Sequence, residues 1–177
     1  MKTNPPVVEL ETQFDELFAA IQKYFFLRGF EANLAADLTA EVFERSLLAR
    51  NGYDSRKASL KTWLFAIAHN LSVNAWRAAQ NPTAVPGVVT EEVPDPGPTP
   101  EEKLLRREDQ RELIRALDIL DEREREVISL KFAARLNNRE IAALTGLSEG
   151  NVAVILYRAL RQVKGSLSNG QSEEQHE

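Results

Sequence analysis

Apolar residues in the first half of the chain recur at helical spacing. Phe14, Leu17, Phe18, Ile21 and Phe25 lie on one face at helical spacing and predict a helix over about 14–30, with Gly29 near its end as a stop signal. Leu34, Leu38 and Val42 predict a second helix from about Asn33 to Leu48, and Asn51-Gly52 marks the turn after it. Leu60, Leu64, Ile67, Leu71, Ala75 and Ala78 form one continuous stripe on a third. Residues 81–100 then break the pattern with six of the eight prolines, whose missing backbone donors forbid a helix or a central strand. Such a linker is stiffened toward extended conformations, which allows its flanking domains to be held apart and leaves open whether they touch.

Beyond the linker, Thr99-Pro100-Glu101-Glu102 has the spacing of a capping box with proline at the first helical position. Leu104, Leu113, Leu117 and Leu120 supply the buried side of the helix it opens, and Asp121 to Glu124 repeats the cap before a short helix to about Phe132. Neither half has the alternating segments of strands. The expected fold is all-α: two small helical domains joined by a proline-rich linker. Their bounds are 1–80, 81–100 for the linker, 101–168, and a polar tail at 169–177.

The second domain contains the spacing of a helix-turn-helix. Ala142 is a small residue where two helices approach, Gly146 makes the turn, and Val152 and Ile155 pack the second helix. The first helix is expected from about Asn138 to Thr145, with Ser148 capping the second. If Val152, Ile155, Leu156, Ala159 and Val163 face inward, then Asn151, Val154, Arg158 and Arg161 face outward. Asparagine can pair with an adenine edge, valine can meet a thymine methyl, and arginine can contact guanine or phosphate. An ordinary helical hairpin with a solvated face is the bland alternative.

Net charge of −5 argues against a strong nucleic-acid binder, but its distribution changes that picture. Arg56, Lys57, Lys61 and Arg77 lie in a stretch without an acidic residue, and Lys131 to Lys164 holds six basic residues against two acidic ones. Two basic patches in an acidic chain suggest contact with nucleic acid at two places and weak binding by the chain alone. The third helix adds a second face made of Lys61, Thr62, Phe65, His69, Ser72 and Trp76, flanked by Asn70, Asn74 and Arg77. Aromatics interleaved with amides and cations suit stacked single-stranded bases, although most aromatics at this spacing belong to a core.

The absence of cysteine excludes disulfides, thiolate ligands and a cysteine nucleophile, and fits a cytoplasmic protein. The start of the chain, MKTNPPVVELETQ, lacks the apolar run of a signal peptide, and no span of eighteen apolar residues occurs, so no membrane insertion is expected. No phosphate loop, metal cluster or nucleophile-base pair is visible, so neither an enzyme nor a cofactor is expected.

DLTAEVFERSL followed by KTWLFAIAHNLSVNAWR resembles the amino-terminal domain of the extracytoplasmic-function (group IV) sigma factors of bacterial RNA polymerase. ALDILDEREREVISLKF with the helix-turn-helix resembles their carboxy-terminal domain, so the likeness covers about Phe14 to Leu167. The resemblance implies core RNA polymerase and promoter DNA as partners, and commonly an anti-sigma factor. It implies a polymerase-docking helix carrying Asp37, Leu38, Glu41, Phe43 and Arg45. It implies a minus-ten loop over Tyr53 to Ser59, including Ser55, Arg56 and Lys57, with Lys61, Asn70, Asn74 and Arg77 on the adjoining helix. It implies that the helix capped by Ser148 reads the minus-thirty-five element through Asn151, Val154, Arg158 and Arg161. Ala40 stands where the family pattern has glutamine, Asn74 where aspartate is common, and Ala153 to Ile155 where many members carry lysine or arginine. A helix-turn-helix regulator that binds an operator without polymerase is the alternative, and it predicts tight binding by the free protein.

Overall fold

The structure, a computed structural model, describes residues 7–80 and 113–173, with side chains at 13–79 and 113–167. All its regular elements are helical. Helix α1 spans Val7–Leu27, α2 Ala32–Ala49, a single 3-10 turn Arg50–Gly52, and α3 Leu60–Gln80. Residues 113–118 are helical, and α4 (Glu122–Phe132), α5 (Asn138–Thr145) and α6 (Glu149–Glu173) follow. The all-α expectation holds. The linker at 81–100, the cap at Thr99–Glu102 and Leu104 lie outside the described residues, as does the end of the tail. Helix α6 continues past residue 168, so the first part of the expected polar tail is helical.

The first three helices form one bundle. Leu17, Ile21 and Phe25 of α1, Leu38 and Val42 of α2, and Leu60, Leu64 and Leu71 of α3 are buried against one another. Three stripe residues depart from expectation: Leu34 is 45% exposed, Phe14 is 39% exposed, and Ala78 lies in the open on the last turn of α3. On α2 the inward stripe is rotated by one residue, to Ala35, Leu38, Thr39, Val42, Phe43 and Ser46. Two of these are hydroxyl residues whose protons return to the helix's own carbonyls, Thr39 to Ala35 and Ser46 to Phe43, which makes their burial tolerable.

The second bundle is fastened by its caps. Asp121 accepts the amide proton of Glu124 at 2.7 Å while the Glu124 carboxylate accepts from the Asp121 amide, closing the expected capping box. Asn137 and Glu140 form a second box at the start of α5 that the sequence reading missed. Gly146 sits at φ 73° in the left-handed region, where a side chain would be strained, and its N–H closes α5 onto Ala142. Ser148 receives the amide of Asn151 at 3.2 Å, as expected of a cap. Leu117 and Leu120 are buried, but Leu113 is 36% exposed.

The two bundles, whose contact the sequence left open, are packed together: α1 lies on α4 and α3 touches α5. Linker stiffness limits local bending and does not decide whether two complementary surfaces meet. Their buried apolar residues belong to one hydrophobic cluster, and a set of polar side chains is threaded through the junction. The Glu126 carboxylate of α4 accepts the Tyr24 hydroxyl at 2.7 Å, lies 3.0 Å from His69 Nδ1, and pairs with Arg28 at 2.8 Å. Arg28, 1% exposed, also donates to Ser72 Oγ at 2.9 Å and to the Glu122 carbonyl at 3.0 Å. In return, Arg125 donates to the Leu27 carbonyl and to Asp118, both at 2.9 Å. Burial and the adjacent Glu126 charge push the Tyr24 hydroxyl well above its ordinary pKa, so it remains a donor.

This junction corrects the reading of the second face of α3. Phe65 and Ser72 are fully buried, His69 is half-buried against Glu126, and Trp76 packs on Phe30 and under the Arg28 guanidinium. That face receives the other bundle instead of offering rings to bases.

Candidate nucleic-acid interface

Three separate surfaces carry the residues singled out in the sequence. On α2, Asp37 and Arg45 are exposed and Glu41 is half-exposed, and Arg45 Nε donates to Glu41 at 2.9 Å. Leu38 and Phe43 face inward, Phe43 4.7 Å from Phe14 and 5.7 Å from Phe18, so they shape the helix from behind. Sequence reasoning missed the apolar ends of the same stripe. Leu34, Asp37, Glu41, Arg45 and Leu48 follow one another by three or four residues, and Leu48 is 79% exposed. An exposed leucine at each end of a charged centre is the composition of a docking strip.

The loop between α2 and α3 is built on Asp54. Its carboxylate accepts the Arg56 amide at 3.1 Å and the Arg56 guanidinium at 3.0 and 2.9 Å, which holds it near a pKa of about 2. The Arg56 side chain nevertheless stays 80% exposed, and Ser55 and Lys57 are exposed beside it. Tyr53 is only 7% exposed and lies 5.0 Å from Trp63, so it forms the floor beneath the loop. Ser59 accepts the Thr62 amide at 3.1 Å and so caps α3. Lys61 is half-exposed, and Asn70, Asn74 and Arg77 stand in solvent along α3. Tyr53 and Ser59 are therefore supports, while Ser55, Arg56, Lys57, Lys61, Asn70, Asn74 and Arg77 remain available to a ligand.

The third surface is the outer side of α6. Val152 and Ala159 are fully buried and Leu156 nearly so, which turns Asn151, Val154, Arg158 and Arg161 outward as the periodicity requires. The hydroxyl of Ser148 accepts the Asn151 amide in its cap and keeps its own proton to donate. Tyr157 was missed. It is 68% exposed and lies three residues after Val154 and four before Arg161, so the same projection finds it. Val154, Tyr157 and Leu160 make this face more apolar than a plain phosphate-binding helix.

Two family models match the chain. The family model "Sigma-70 region 2" matches residues 20–81, and "Sigma-70, region 4" matches residues 110–163. The chain is 32% identical over 141 residues to the ECF RNA polymerase sigma factor ShbA of Streptomyces griseus subsp. griseus, covering 78% of this chain and 74% of ShbA. It is 25% identical over 148 residues to the ECF RNA polymerase sigma factor BldN of Streptomyces coelicolor, covering 84% of this chain and 56% of BldN's length. Among solved structures, the sigma factor RpoE in complex with the anti-sigma factor NepR, from Bartonella quintana, has a TM-score of 0.65 at 18% identity, covering 90% of this chain and 97% of that one. The fold is thus shared even where the sequences have diverged. On the two matched regions and the likeness to ShbA, the chain belongs to the extracytoplasmic-function family of RNA polymerase sigma factors.

Proposed function

We propose that the chain divides the work of a sigma factor among these three surfaces: α2 docks on core RNA polymerase, the Asp54 loop with α3 handles the minus-ten element, and α6 reads the minus-thirty-five element. The family assignment makes the chain an RNA polymerase sigma factor that directs promoter-specific initiation, and an operator-binding regulator working without polymerase is not favoured. The division itself rests on one observation. The exposed strip of α2 and the outward face of α6 lie on different bundles, as a protein that touches polymerase and two promoter elements requires.

Each surface suits its assignment chemically. The α2 strip can pair its charges with a complementary surface and bury a leucine at either end. At the loop, Arg56 and Lys57 supply cations beside solvent, and a base taken out of the stack needs such a neighbourhood because unstacking costs a few kcal/mol. On α6, Asn151 and Arg158 can read base edges, while Val154 and Tyr157 can meet a thymine methyl or a sugar.

The chain has no catalytic role of its own in this reading and needs no cofactor. It acts in the cytoplasm, where polymerase and promoters meet. Among the described residues no helix is long and apolar enough to cross a membrane. An anti-sigma factor is a third partner by likeness to the RpoE–NepR complex, and the apolar face of α6 is a surface it could cover. Co-purification with core polymerase followed by promoter footprinting tests the division. Charge reversal on α2 should remove the first step, and changes in the loop or α6 should remove only the second.

A further inference from the structure

We infer that Asp54 is a positioning residue for base selection: it grips the Arg56 guanidinium along one edge, so that the free edge pairs with a base carrying two adjacent acceptors, guanine or cytosine, and rejects adenine and thymine. The inference rests on the assignment of this loop to the minus-ten element made above.

Both carboxylate oxygens of Asp54 take part in the grip. Oδ1 accepts from Arg56 Nε at 3.0 Å and Oδ2 from Nη2 at 2.9 Å, while Oδ1 also takes the Arg56 amide at 3.1 Å. Asp54 is itself tied down, since its carbonyl accepts the amides of Lys57 at 2.9 Å and Ala58 at 3.4 Å. Ion pairs between exposed side chains ordinarily add little to stability. This one is bidentate and anchored on the backbone two residues away, so what it fixes is direction.

A guanidinium holds five N–H groups in one plane. Asp54 occupies the edge formed by Nε and Nη2. The end formed by Nη1 and Nη2 keeps two parallel N–H groups, and among the described residues Nη1 has no hydrogen-bond partner. With the side chain 80% exposed, that end is open to a ligand.

Two parallel donors match two neighbouring acceptors. Guanine presents O6 and N7 side by side, and cytosine presents O2 and N3. Adenine sets an amino donor beside N7 and beside N1, and thymine separates its two carbonyls by an N–H. On a base taken out of the stack each of these edges can be reached. Charge alone would not distinguish them. Asp54 offsets the cation, which weakens its pull on phosphate in general, and a side chain already held loses less freedom on binding. Lys57, exposed next to it, has no such fork and acts as a plain cation.

The test offers the holoenzyme, full chain with core polymerase, a transcribed promoter whose minus-ten element is randomised on the non-template strand, and counts the sequences retained. One position should favour guanine or cytosine over adenine and thymine by about ten-fold or more, the discrimination of a bidentate pair. Arg56→Lys keeps the charge without the fork and should flatten that position alone. Asp54→Asn keeps an oxygen for the Arg56 amide, so the loop stays built, but it releases the guanidinium. It should flatten the same position while binding to all sequences rises and its salt dependence steepens. Flattening with loss of affinity for every sequence would make Asp54 a structural residue and overturn its positioning role. Full preference in either variant also overturns the inference, as does an Arg56-dependent preference for adenine or thymine. If the holoenzyme transcribes and Arg56→Lys, Asp54→Asn and Lys57→Ala all leave minus-ten selection and affinity unchanged, the assignment of the loop itself falls, and the inference with it.

Discussion

The guanidinium of Arg125 lies directly against Gly29: a Cβ added at Gly29 would stand 2.9 Å from Arg125 Cζ. Gly29 also holds φ 92°, a backbone conformation costly for any L side chain, and stands two residues past the end of α1. A short loop, a left-handed glycine and the second bundle's arginine thus share one point. Gly29→Ala should destabilise the chain by about 1–3 kcal/mol, through backbone strain together with displacement of Arg125. Urea unfolding followed by circular dichroism measures this, and an unchanged midpoint would show that Arg125 is not seated there.

Docking on polymerase should depend on the charged centre of the α2 strip. Asp37→Arg with Glu41→Arg reverses two charges on an exposed face and also breaks the Glu41–Arg45 pair, which as a surface pair contributes little to stability. Co-purification with core polymerase should be lost while helicity is retained. Leu48→Glu should weaken docking without unfolding the chain. Undiminished binding by both variants would move the docking surface elsewhere.

Changes in the Asp54 loop should separate binding from opening. Arg56→Ala with Lys57→Ala removes two exposed cations and leaves Tyr53 and Ser59 to support the loop. Polymerase binding should be kept, while permanganate reactivity of melted thymines should fall. Normal melting would contradict the assignment of this loop.

Asp54 provides a pH signature of the same loop. Hydrogen bonds from the Arg56 side chain and amide lower its pKa from 3.8 to about 2. A depressed folded value means the contact's contribution is present above about pH 4 and is lost as pH falls through about 2. A carboxyl-carbon NMR titration should give a midpoint near 2 in the wild type, moving back toward 3.8 in Arg56→Ala. An unmoved midpoint would place the cause outside this pair.

On α6, reading and positioning can be told apart. Arg158→Ala should reduce discrimination between a matched and a mutated upstream element by about 1–3 kcal/mol if the arginine reads a base, and hardly at all if it meets phosphate. Val154→Lys should raise binding to all sequences alike and steepen its salt dependence. Footprints at two salt concentrations distinguish these. If neither change alters upstream protection, this face serves a protein partner.

The elements visible from sequence were those with local causes. The capping box at Asp121, the bounds of α5 and the Ser148 cap each need only a few adjacent residues, and each stands where periodicity and capping chemistry put it. The outward set on α6 followed from the inward one. What could not be read was long-range. Arg28 and Glu126 carry no local sign that they meet, and the second face of α3 looked like a stacking surface because nothing in its own residues reveals the bundle packed on it. Tyr53 and Ser59 fell within the expected promoter loop, yet local structure uses one as floor and the other as cap. Leu34 was misplaced for a smaller reason: the hydroxyls of Thr39 and Ser46, bonded back to their own helix, let the buried stripe rotate by one residue.

Transcription reconstituted from purified components tests the central claim most directly. Core RNA polymerase, the full chain and a library of genomic fragments should yield discrete transcripts starting at fixed positions only when chain and polymerase are both present. The chain alone should bind the selected fragments feebly. Tight, sequence-specific binding by the free chain, with no new transcript when polymerase is added, would contradict the account and return the helix-turn-helix to an operator-binding role.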